Sequence, residues 1–230
     1  MEEMDRYMKA QAPTALRPLL GQTVLAVEDS RFACEAIRLV CLRSGARIRR
    51  ADSLSAARRH LSVYRPTVVI VDIGLPDGSG AELIEEVARA VPRVPVLLAT
   101  SGDDSLADAA CAAGADAFLA KPVASIAAFQ SAVLAHLPPE AQPHGPRAVN
   151  DDAVTADTIA YYDDLDHALD ALSTGEGSYV GQFLTGVARQ VGDGELEGLA
   201  HRLCQAPDSA EIAGRMERLL SERMGARLAV

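Results

Sequence analysis

Short apolar runs rich in β-branched residues alternate, from Thr23 to Leu137, with longer segments whose apolar positions recur at helical spacing. The runs TVLAV (Thr23–Val27), ARIRR (Ala46–Arg50), TVVIVD (Thr67–Asp72), VPVLLAT (Val94–Thr100) and ADAFLA (Ala115–Ala120) predict five strands. Helices are predicted near Arg31–Arg43, Ser53–Tyr64, Ala81–Ala90, Ser105–Ala113 and Ser125–His136, several opened by a Ser or Asp able to cap. Repeated β-α units of this kind build a parallel sheet covered by helices, an α/β fold. The third and fourth runs are almost continuously apolar, as strands buried on both faces are, so they are expected at the centre. Arg47, Arg49 and Arg50 mark the second run as an edge strand.

After Leu137 the pattern changes. Residues Pro138–Asn150 hold four prolines and a glycine among thirteen positions, a linker composition. Beyond it Ile159, Tyr162, Leu165, Leu169 and Leu172 recur at helical spacing, as do Phe183, Val187 and Val191 after a break at Ser173–Ser178. Two further helical patterns cover Glu195–Gln205 and Ser209–Arg227. The expected division is an N-terminal extension (1–22), an α/β domain (23–137), a Pro-rich linker (138–150) and a small all-α domain (151–230). An all-helical unit of about 80 residues buries little core by itself and is expected to lean on the first domain or on a second copy.

Charge separates the two parts. Residues 1–149 hold 17 acids against 16 Lys or Arg, and residues 150–230 hold 15 against 6. A tail of that sign repels nucleic-acid phosphates and anionic lipid. No apolar run in Met1–Gln22 reads as a signal peptide or a membrane span, so a cytoplasmic protein is expected. Cys34, Cys41, Cys111 and Cys204 show no C-x-x-C spacing and read as buried, reduced thiols.

In an open parallel sheet, ligands bind at the carboxyl ends of the strands. The polar residues collect there: Glu28 and Asp29 after the first strand, Asp72 ending the third, Thr100 and Ser101 ending the fourth, and Lys121 after the fifth. Three convergent carboxylates repel one another and call for a proton or a cation. Mg²⁺ suits such a set, with Asp29 and Asp72 as direct ligands and Glu28 acting through water. Asp72 is then a candidate nucleophile toward a phosphoryl group, with Lys121 and Thr100 as partners for its oxygens. Lys121 is one of only two lysines beside 20 arginines, so a compact ammonium is chosen at a position where arginine's planar fork would not fit.

VLAVEDS (Val24–Ser30), VVIVDIGLPDGSG (Val68–Gly80), LLATSG (Leu97–Gly102) and FLAKP (Phe118–Pro122) together resemble the receiver signature of bacterial response regulators, over roughly Thr23–Leu137. The resemblance implies a flavodoxin-like, doubly wound five-stranded sheet of order 2-1-3-4-5. It also implies Mg²⁺ (or Mn²⁺) at Glu28, Asp29, Asp72 and the Gly74 carbonyl, and Asp72 as phosphoacceptor for a sensor histidine kinase or phosphotransfer protein. Thr100 and Phe118 become the switch pair, Lys121 the conserved lysine, and Lys121–Pro122 a candidate cis bond. Gly74 stands where a larger side chain is more usual, which opens the site to water.

A haloacid-dehalogenase-type phosphatase also forms an aspartyl phosphate but needs an acid where Gly74 stands, and an unphosphorylated scaffold would usually have lost one of the site residues, all of which are present. The tail has no basic recognition helix, zinc cluster or phosphate loop. Its LEGLAHRLCQA segment around His201 faintly resembles a histidine phosphotransfer helix, although Cys204 and Gln205 replace the lysine and glycine of that pattern, so phosphorelay through His201 is an alternative output. Asp163, Asp164, Asp166 and Asp170 lack the glycine of a calcium loop and read as a solvated face. Arg215, Arg218, Arg223 and Arg227 alternate with Glu211, Glu217 and Glu222, poor support for DNA binding. The expectation is therefore a signalling phosphoacceptor, not a turnover enzyme, whose tail binds an unnamed protein or forms a homodimer under receiver control.

Overall fold

Five strands, β1 (Thr23–Val27), β2 (Arg47–Ala51), β3 (Val68–Asp72), β4 (Val96–Ser101) and β5 (Ala117–Ala120), pair in parallel in the order β2-β1-β3-β4-β5. Between and after them run α1 (Arg31–Ser44), α2 (Leu54–Val63), α3 (Gly80–Arg89), α4 (Ala107–Ala113) and α5 (Ile126–Leu134). The computed structural model describes residues 12–123, 125–145, 148 and 158–225. The start of the expected extension, the end of the linker and Arg227 lie outside those residues.

The sheet has the expected order, with β2 on one edge and every residue of β3 and β4 buried. Side chains alternate across it. Val24, Ala26, Val68, Ile70, Val96 and Leu98 face Ile37, Val40 and Phe129 of α1 and α5. Leu25, Val27, Val69, Val71, Leu97 and Ala99 face Leu83, Ile84 and Ala57 of α2 and α3. Each fully buried aliphatic side chain of this kind contributes about 1.5–3 kcal/mol. β4 begins at Val96, two residues later than predicted, because Pro95 has no N–H for the ladder.

Capping residues place the helix starts. Ser30, Ser53 and Ser125 accept from Ala33 N, Ala56 N and Ala128 N. Asp77, in the loop after β3, adds a second cap to α2 by accepting from Leu54 N at 2.7 Å and Ser55 N at 2.9 Å. α1 ends on Gly45 at φ 89°, and a Cβ there would also meet Arg17 Cβ at 2.9 Å. That contact reflects a segment ahead of β1 that joins the core: Leu19 is fully buried and donates its N–H to Ser44 O at 2.9 Å. Within the Pro-rich stretch, Pro139–Ala141 forms one 3₁₀ turn, a structure the proline count did not predict. Pro139 at its first position loses no needed donor.

The tail folds as four helices, α6 (Thr158–Ser173), α7 (Gly177–Val191), α8 (Gly194–Gln205) and α9 (Ala210–Gly225). Leu165, Val180, Leu184, Leu196, Leu203, Met216 and Leu220 share one dry core. The thiol expectation needs correction: Cys34 and Cys41 are buried, whereas Cys111 is exposed on α4 and Cys204 half-buried on α8. Cys111 lies on the solvent side of a short helix that buries only Ala110.

Candidate functional site

Register brings the site together. Asp72, the last residue of β3, pairs with Thr100 on β4, and β1 delivers Glu28 and Asp29 to the same edge. α3 starts so close beneath that a Cβ on Gly80 would sit 1.9 Å from the Asp72 carbonyl oxygen, so this position accepts only glycine. Carboxylate oxygens of Glu28, Asp29 and Asp72 lie within 4.8 Å of one another, a group that could hold a metal ion. Lys121 completes the cluster from the end of β5: its Nζ donates to Asp72 Oδ2 at 2.9 Å and Glu28 Oε1 at 3.0 Å. The Lys121–Pro122 bond is cis.

Most of this is secluded, with Asp72 6% and Glu28 0% exposed, while Asp29 is half-buried. Burial, reinforced by Asp72 and Asp29 against the pull of Lys121, holds the Glu28 carboxyl well above the usual carboxylate range. Burial and the nearby Asp72 charge push Asp29 up to about 6. For Lys121 burial opposes the charge, but Asp72, Glu28 and Asp29 together outweigh burial, raise it above the usual lysine range and keep the ammonium ionised. Glu28 Oε2 is buried, 2.8 Å from Lys121 Nζ yet without an aligned hydrogen bond. An orphaned acceptor beside two further carboxylates is the donor chemistry a hard divalent cation takes, so the residues fit Mg²⁺.

Thr100 is fully buried and its hydroxyl donates to Leu119 O at 2.8 Å, across to the neighbouring strand. Phe118 is half-buried on β5 against the core that covers α2 and α3. Gly74 follows β3 in a two-residue antiparallel ladder with Gly78–Ser79. His201 stands exposed on α8, 3.1 Å from Gln205 Nε2.

The tail contributes residues that the sequence reading missed. Asp164, expected on a solvated face, is 2% exposed. It accepts from Ser30 Oγ at 2.7 Å, Arg31 N at 2.8 Å and Phe32 N at 3.0 Å, satisfying free N–H groups at the start of α1. The correction has a plain cause: the residue serves a helix more than a hundred positions away, and local spacing carries no sign of that. Tyr179 on α7 donates its hydroxyl to Asp29 Oδ2 at 2.7 Å and meets His167 Nε2 at 2.9 Å. Arg223, one of the four arginines weighed for DNA, is committed to Asp193 and Glu195.

A doubly wound parallel sheet with three acids and a lysine at its carboxyl edge is a receiver-type fold. Residues 24–133 match the response regulator receiver domain family, and that segment is a receiver domain. Over 100 residues the chain is 36% identical to the KDP operon transcriptional regulatory protein KdpE of Escherichia coli, covering 43% of this chain and 44% of that protein. Over 102 residues it is 35% identical to the probable transcriptional regulatory protein TcrX of Mycobacterium tuberculosis, 44% of this chain and 43% of that one. It thus spans less than half the length of these curated relatives. A putative response regulator from Chloroflexus aurantiacus, solved by crystallography, is 30% identical with a TM-score of 0.44, covering 50% of this chain and 98% of that one. Among the described residues no helix is long and apolar enough to cross a membrane.

Proposed function

We propose that this chain is a two-component response regulator whose Asp72 accepts a phosphoryl group from the phosphohistidine of a sensor kinase or phosphotransfer protein. The observation that carries the reading is Lys121 Nζ held at 2.9 Å from Asp72 Oδ2 inside a cluster of three carboxylates. Asp72 Oδ attacks phosphorus, the phosphorus–nitrogen bond to the donor breaks, and an acyl phosphate forms on Asp72. Asp29, Asp72, the Gly74 carbonyl and, through water, Glu28 would hold Mg²⁺ or Mn²⁺. When bound, that ion neutralises charge on the transferring group.

The rest falls to the chain's own residues. Rigid attachment at a strand end aims the Asp72 carboxylate, and Lys121 exchanges its bond to Asp72 for one to a phosphoryl oxygen. Thr100 leaves Leu119 O to donate to another oxygen, and the space it vacates admits Phe118, biasing the face of α4, β5 and α5. In this reading residues 23–137 are the receiver, 138–150 the linker and 151–230 the output module, preceded by an extension over 1–22. The chain works in the cytoplasm as a phosphoacceptor and not as a turnover enzyme, and the helical module passes the signal to a protein partner or a second copy.

Incubation of the wild type and Asp72→Asn with phosphoramidate and MgCl₂, followed by intact mass, tests this. A gain of one phosphoryl group in the wild type alone supports it, and no gain in either sinks it.

A further inference from the structure

Two helices of the tail, α6 and α7, pack against the loops of the phosphoacceptor edge. Three positions of α7, spaced by one and two turns and therefore on one face, each meet a different loop of the site. Tyr179 reaches Asp29 after β1. Gln182 comes next: its Oε1 lies 3.3 Å from where a Cβ on Gly74 would be. Gly186 then crosses Gly102 so closely that a Cβ on Gly102 would meet Gly186 Cα at 3.0 Å, and a Cβ on Gly186 would lie 3.8 Å from Lys121 Cδ and 4.0 Å from its Nζ. Glycine at 102 lets loop and helix approach backbone to backbone, where a larger residue would push them apart.

α6 fastens this arrangement. Asp164 takes three hydrogen bonds from Ser30, Arg31 and Phe32, Asp163 pairs with Arg31 at 2.7 Å, and Phe32 packs edge-on to Tyr161 with ring centroids 6.1 Å apart. A cleft of about 510 Å³ remains between receiver and tail, lined by Asp29, Arg31, Arg50, Asp163 and His167, but Asp72 does not line it.

We propose that α7 is an autoinhibitory lid on the phosphoacceptor pocket, held shut by Tyr179 on Asp29 and by Asp164 on the start of α1. Tyr179 donates to Asp29 Oδ2, so phenol and cation draw on the same carboxylate and the hydrogen bond weakens the ion's hold on it. A phosphohistidine carried on a folded protein cannot reach Asp72 while α7 lies across it, and a donor gains access only after the tail lifts. The inference rests on Asp72 being the phosphoacceptor. It adds that the unphosphorylated chain is held closed by its own tail, and that a productive partner must displace that tail.

Tyr179→Phe removes only the hydroxyl and keeps the ring against Phe183 and His167, while Asp164→Ala releases the start of α1. Mg²⁺ binding to full-length wild type and both variants is measured by calorimetry, and phosphorylation by phosphoramidate with MgCl₂ is followed by intact mass. The lid predicts about tenfold tighter Mg²⁺ for Tyr179→Phe, the loss of one hydrogen bond to a carboxylate, and about tenfold faster phosphorylation for Asp164→Ala. Variants that match the wild type in both readouts, with the wild type phosphorylated, overturn the lid and leave the phosphoacceptor reading intact. If no chain gains a phosphoryl group, the underlying reading fails and the lid with it.

Discussion

Lys121 and Asp72 meet at 2.9 Å through side chains that are each less than a tenth exposed. A buried cation that answers three carboxylates is costly to remove, because the acids it leaves behind stay desolvated. Lys121→Met is expected to lower unfolding free energy by about 3–5 kcal/mol in chelator, read from urea melts. Part of the loss should return with MgCl₂, since a divalent ion can supply the missing positive charge. Insensitivity of the variant to MgCl₂ would remove the carboxylates from the list of cation ligands.

Cation binding should also register as stability in the native chain. A ligand that binds the folded state at a hundred times its dissociation constant adds about 2.7 kcal/mol. Melting of the wild type should therefore rise with MgCl₂, while Asp29→Asn, which removes one charge from the cluster of three, should show little or no rise. Equal shifts in both chains would mean that the ion acts elsewhere.

Two glycines on α7 should respond oppositely to alanine. A Cβ on Gly181 would sit 2.7 Å from Cys204 Sγ and 2.8 Å from Cys204 N, so Gly181→Ala must push α7 from α8 at a cost of about 1–3 kcal/mol. A Cβ on Gly186 finds ordinary contact, so Gly186→Ala is expected to gain about 1 kcal/mol of helix propensity. Thermal melts of the two variants side by side check the pair.

Acid should loosen the tail at a defined place. The hydrogen bond from Arg223 holds Asp193 below the usual aspartate range, and Leu196 N, which Asp193 caps at 3.1 Å, adds to the effect. A depressed carboxylate contributes stability above its unfolded pKa and loses it as pH falls through the folded value, so this contribution is full at neutral pH and fades below about pH 4. Asp193→Ala should cost about 1–2 kcal/mol at neutral pH. Its melting curve should then be flatter than the wild type's on the acid side, as measured by circular dichroism across that range.

The receiver was legible because its signals are local. Apolar runs at β3 and β4, arginines on β2 and Ser caps at helix starts each speak through neighbouring residues, and the acids and Lys121 fall at strand ends by topology alone. Pro95 and the buried Leu19 moved boundaries, since a missing donor and a long-range contact matter more there than pattern. The four tail helices were also visible from spacing, but their docking was not. Asp164 and Tyr179 look like any polar residues on an amphipathic helix, and their partners at Ser30 and Asp29 are distant in sequence. Gly74, Gly102 and Gly186 could have hinted at close approach, yet a glycine names no partner.

The distribution of thiols has a practical consequence. Cys34 is buried, with its thiol pushed up to about 12, Cys41 is raised further, and burial also raises Cys204. Cys111 alone among the described residues is an exposed thiol. A maleimide dye added to the native chain should therefore react there first and place one fluorophore on α4 without mutagenesis, giving an optical reporter of that surface as the tail opens or closes.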